Sequence, residues 1–132
     1  IDGGIIKQVT VAAFFWMQGE RDAKFDWAAA AYRENLKTLV AALRREFNAP
    51  DAPFIYGKIN PIVEPHFPFT GVVQDAQASA QSIIPNSRMI DTDDFELVDF
   101  AHFDSESQMK LGRRFAQAYL EMTKDKGKEK NP

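Results

Sequence analysis

An α/β fold, a parallel sheet layered between helices, is what this 132-residue chain predicts. Three observations carry that expectation. Short β-rich apolar runs alternate with longer amphipathic segments, giving the order β-α-β-α-β-α without an internal repeat. The first run, VTVAAFFWM at 9–17, lacks polar alternation, as a strand covered on both faces does. Prolines, glycines and asparagines fall between the runs and break them apart. Such an order implies right-handed crossovers, with reactive groups gathered in loops beyond the carboxyl ends of the strands.

Taken in order, residues 9–17 form the first strand. Asp26 can cap a helix over 27–47, where Tyr32, Leu36, Leu39, Leu43 and Phe47 recur every three or four positions. NAPDAP at 48–53 ends it, because proline disfavours helix at and before itself. FIYGKI at 54–59 is a second strand. Residues 60–70 hold three prolines and read as an irregular loop. A helix over 71–84 turns Val73, Ala76, Ala80 and Ile83 inward, and RMID at 88–91 is the third strand. An acidic loop fills 92–104. Ser105 and Gln108 have capping-box spacing ahead of a last helix that buries Leu111, Phe115, Ala118 and Met122. From Lys124 the sequence KDKGKEKNP reads as a solvated, frayed tail. Residues 1–123 therefore read as the C-terminal part of one domain, with 124–132 as its tail.

Composition excludes several classes. A net charge of −3 argues against a nucleic-acid or anionic-membrane partner. No apolar stretch approaches the ~20 residues that cross a bilayer. The absence of cysteine removes disulfides, thiolate metal sites and a cysteine nucleophile, and leaves the compartment open. The chain opens at Ile1 with neither a methionine nor a leader, which we read as the mark of a stretch whose upstream part lies elsewhere.

Two loops hold the chemistry. Gln18, Gly19 and Glu20 follow the first strand directly. Glycine permits a sharp turn or a close approach, and a glutamine amide donates without charge to an oxygen that becomes negative. Glu20 and Asp22 could orient that amide, bind a substrate hydroxyl or pair with Arg21. In the second loop Asp99 stands three positions before His102. A carboxylate so placed can fold back onto Nδ1–H, leaving Nε2 as a general base. Both groups have a plainer reading, a polar loop and an exposed pair near a helix start. No HxH or HExxH spacing supports a metal, so neither metal nor cofactor is expected.

The ordered blocks WMQGERDA (16–23), PFIYGKI (53–59), VVQDAQ (72–77), IDTDDFEL (90–97) and DFAHFDSESQMKLGRRFA (99–116) resemble the sialate O-acetylesterase domain. That domain is close to the carbohydrate esterase family 6 acetylesterases, within the SGNH hydrolase superfamily. The resemblance spans residues 9–120. It implies a flavodoxin-like three-layer α/β/α fold, lacking here its N-terminal strand or strands, and hydrolysis of acetyl esters on carbohydrates. His102 would be the general base, Asp99 its orienting partner and Gln18 an oxyanion donor, with Gly19 and Glu20 at the substrate. Met17 and Arg21 differ from the His or Tyr and the small residue usual in that family. Acetylated carbohydrate is the implied partner, and secretion or a periplasm the location such substrates suggest.

The family's nucleophile is a serine in a Gly-Gln-Ser-Asn block on an earlier strand, and this chain has no such block. Ser79 and Ser82 fall in a helix, Ser87 in a turn, Ser105 and Ser107 at a helix start; none follows a strand on a sharp turn. An upstream serine is the expectation, with a companion chain or segment covering the edge of the first strand. The alternatives are a non-catalytic carbohydrate- or protein-binding module of the same ancestry, and a receiver-like domain suggested by Asp91, Asp93 and Asp94, for which no matching lysine-bearing strand is expected.

Overall fold

A computed structural model describes residues 9–124. Three parallel strands, β1 (Phe14–Trp16), β2 (Phe54–Gly57) and β3 (Ser87–Ile90), lie in the order β1-β2-β3. Phe14 pairs with Phe54 and Ile55 with Arg88, so the register runs straight across the sheet. Helices α1 (Asp26–Glu46) and α2 (Thr70–Ala80) connect the strands, and α3 (Ser105–Thr123) follows β3.

The period-2 alternation of strand side chains divides the core in two. Phe54 and Tyr56 point to one face, where Tyr32, Leu36 and Val40 of α1 and Val73 and Ala80 of α2 bury them. Ile55 points to the other face, against Leu111 and Ala118 of α3, with Ile90, Phe95 and Phe103 completing that cluster. Two successive crossovers in one direction place α1 and α2 on a common face, and α3 covers the opposite one. These are the three layers that the alternation predicts.

The details shift where tertiary contact outweighs local pattern. The first strand is Phe14–Trp16 rather than 9–17, and the central strand, buried along its whole length, is β2. The buried stripe of α1 is Tyr32-Leu36-Val40, which leaves Phe47 beyond the helix and 56% exposed. Asp26 begins α1 without capping it; the N-cap position is Phe25. Helix α2 ends at Ala80, and a turn at Ser79–Ile84 carries the chain to β3. Asp104, not Ser105, caps α3, its carboxylate accepting from Ser107 N at 2.7 Å. Lys124 is the C-cap of α3, and the rest of the expected tail lies outside the described residues.

Candidate active site

The first strand ends under the site. Met17 lies across Gly57, whose missing side chain makes room for it. Gly19 then turns with φ 149°, a conformation that disfavours any Cβ. A Cβ there would stand 2.9 Å from Ile59 Cγ2, 3.2 Å from Val73 Cγ1 and 3.3 Å from Tyr32 Cε2. Of the two uses of this glycine, the turn is the one the packing demands: Gly19 is buried beneath the loop and does not line the cavity that Gln18 and Glu20 share with His102.

A buried glutamine fixes this turn from below. Gln77 is fully buried, with Oε1 accepting from Ile59 N at 2.9 Å. Its Nε2 reaches Gly57 O at 3.2 Å, Tyr32 Oη at 3.3 Å and Gln18 O at 3.4 Å. Tyr32 Oη donates to the same Gln18 carbonyl at 2.7 Å, and burial pushes the Tyr32 phenol up to about 12. Sequence reasoning passed over Gln77. Its signal is a polar residue on the inward stripe, four positions after Val73 and three before Ala80. With its backbone held, Gln18 directs its side chain toward Asp22, Nε2 donating to Oδ2 at 2.6 Å. Of the tasks open to Asp22, orienting the amide is the one observed.

The second loop is closed as a short hairpin. Leu97 and Phe103 form an antiparallel bridge, and Val98 N donates to His102 O at 2.9 Å. At its tip Asp99 Oδ1 accepts from both Ala101 N and His102 N at 2.8 Å, while Oδ2 meets His102 Nδ1 at 2.6 Å. The two backbone N–H groups, then the imidazole, pull the Asp99 carboxyl down to about 2. Its hydrogen bond in turn raises the His102 pKa. The ionised carboxylate favours the tautomer with the proton on Nδ1 and the lone pair on Nε2.

Gln18, Glu20 and His102 line one cavity of about 350 Å³, with Met17, Ala101, Phe103 and Gln108. Side chains more than 80 residues apart in sequence, Glu20 and Ala101 the nearest across the two loops, thus meet at the carboxyl end of the sheet. Burial raises the Glu20 pKa, opposed by backbone hydrogen bonds and by the charge of His102. Asp99 stands behind the imidazole, outside the cavity lining. The lining contains no serine among the described residues. Ser79, Ser82 and Ser87 donate their hydroxyls to nearby carbonyls, Ser107 Oγ accepts from Glu96 N, and Ser105 lies exposed at the start of α3.

The acidic cluster after β3 is structural. Lys58, at the end of β2, contacts Asp91 at 2.9 Å and Asp93 at 2.5 Å, and Arg114 grips Asp94 through both Nη atoms at 2.8 Å. The expectation that no lysine stands beside these aspartates is corrected: parallel pairing of β2 with β3 brings Lys58 there. No group of three or more His, Asp or Glu among the described residues is arranged to hold a metal ion.

A three-layer α/β chain thus brings an Asp-steadied histidine and a strand-end amide to one cavity, and comparison with known proteins gives its family. Residues 4–121 match the family described as carbohydrate esterase, sialic acid-specific acetylesterase, and the chain belongs to this family. A curated relative from Arabidopsis thaliana, named a probable carbohydrate esterase, is 32% identical over 119 residues, covering 89% of this chain and 42% of the relative. An X-ray structure of an Arabidopsis thaliana protein superposes with a TM-score of 0.74 at 30% identity, covering 84% of this chain and 44% of that one. The chain thus spans about two fifths of the length of the relative it matches.

Proposed function

We propose that this chain carries the base and oxyanion half of a serine-type carboxylic ester hydrolase that removes O-acetyl groups from carbohydrates. The single observation behind this reading is the convergence of Gln18, Glu20 and His102 on one cavity, with Asp99 bonded to His102 on the far side of the ring. A serine from a segment outside these 132 residues is the nucleophile, and that segment docks along the edge of β1 that β2 does not occupy. Phe15, half exposed on that strand, is part of the surface it covers.

In the reaction His102 Nε2 takes the serine proton as Oγ attacks the acetyl carbonyl. Asp99 stabilises the imidazolium that forms. One Nε2–H of Gln18 is committed to Asp22, and the other donates to the tetrahedral oxyanion. Collapse expels the sugar alkoxide, which takes the proton from His102, and water then hydrolyses the acyl-enzyme by the same relay. Glu20, on the lining of the same cavity, contacts the substrate. Gln18→Ala in the intact protein should lower kcat by about 10²–10³-fold while leaving the fold in place. Unchanged turnover removes Gln18 from the role.

A further inference from the structure

Immediately outside the cavity the surface changes character. Phe100 lies between Asp99 and His102 and is 54% exposed. Its backbone is pinned: Ile62 N donates to Phe100 O at 2.8 Å, tying the loop at 60–69 to the histidine hairpin. That loop brings the exposed ring of His66 to a centroid distance of 4.1 Å from Phe100, inclined by 53°. It is anchored by buried Phe67, whose N donates to Val63 O and whose ring carries Lys24 at 5.1 Å. Ile62, Val63 and Val98 are also exposed, at 46%, 44% and 68%. Two loops therefore hold an apolar, aromatic step in place one residue from Ala101, a wall of the cavity.

Exposed apolar side chains gathered together, rather than scattered singly, mark an interaction site. The neighbouring cavity points to its occupant. An acetyl group reaching His102 and Gln18 carries its sugar just outside, and the C–H face of a pyranose is apolar while its rim of hydroxyls stays wet. That amphipathic shape suits an aromatic platform with open solvent around it. We propose that Phe100, backed by His66, is the subsite on which the pyranose ring of the acetylated substrate stacks, so that this step selects sugar esters over small acetates. The inference rests on the esterase reading and adds the surface that recognises the alcohol part of the ester.

The test compares the intact protein with Phe100→Ala and Phe100→Trp on two substrates, an O-acetylated methyl pyranoside and p-nitrophenyl acetate. The quantity read is the ratio of kcat/KM for the pyranoside to that for p-nitrophenyl acetate. Phe100→Ala should lower this ratio on the order of tenfold, as losing the burial of a couple of methylene-sized groups would do. Phe100→Trp should restore it. An unchanged ratio, with both substrates slowed equally, overturns the proposal and makes Phe100 a support for the His102 loop. Should the wild type hydrolyse neither ester, the esterase reading fails separately. The subsite is then judged by NMR: the pyranoside shifting the ring protons of Phe100 and His66 upholds it, and unshifted rings overturn it.

Discussion

Replacing Gln77 with leucine tests the buried network that holds the Gln18 turn. The two side chains are similar in size, so the change removes hydrogen bonds more than volume. Ile59 N loses its acceptor in a fully buried position, and the Gly57, Gln18 and Tyr32 oxygens each lose a donor. An orphaned buried amide costs about 1–3 kcal/mol, and the weaker contacts at 3.2–3.4 Å add a fraction of the usual ~1 kcal/mol each. Better burial of the leucine offsets part of this. The expected loss is about 2–4 kcal/mol, a large share of the 5–15 kcal/mol of a typical domain. In urea that lowers the unfolding midpoint by about 1–2 M at unchanged slope. Gln77→Glu gives an internal control. The introduced carboxyl has its folded pKa raised by burial, so the variant is most stable below the ordinary carboxylate pKa and loses stability as pH rises toward the raised value. A loss under ~1 kcal/mol for Gln77→Leu, with no pH dependence in Gln77→Glu, would refute the reasoning.

Gly19→Ala should destabilise by about 1–3 kcal/mol, because the methyl meets Ile59 and Val73 at a positive φ; a denaturation midpoint equal to wild type would contradict the packing described. Asp99→Asn removes the hydrogen bond and charge that raise the His102 pKa, so the ring should titrate at lower pH by NMR, and an unmoved midpoint would dissociate the pair. The same pair links pH to stability. The depressed Asp99 carboxyl contributes above its ordinary 3.8 and loses that contribution as pH falls through about 2. The elevated His102 contributes below its ordinary 6.5 and loses its share as pH rises through the raised value. Between those limits the hairpin tip is held most firmly.

What could be read in advance follows from how local each cause is. Element order and the parallel sheet were legible because hydrophobic period and breakers are local, and FIYGKI could hardly be anything but a buried strand. The Asp99–His102 pair was legible for the same reason, a three-residue spacing that closes on itself. Boundaries failed where partners decided them: residues 9–13 have strand composition, yet the first ladder pair among the described residues is Phe14 with Phe54. Asp104 took the cap from Ser105 because its carboxylate reaches Ser107 N. Gln77 and Lys58 were missed because their partners lie tens of residues away and only the folded sheet assembles them.

The central claim, that His102 and Gln18 serve one ester-cleaving centre, is tested most directly by acetate release from an O-acetylated glycan by the intact protein and its His102→Ala variant. The account predicts release by the wild type and a loss of about 10²–10⁴-fold in the variant. Acetate release that survives the substitution undiminished would contradict it.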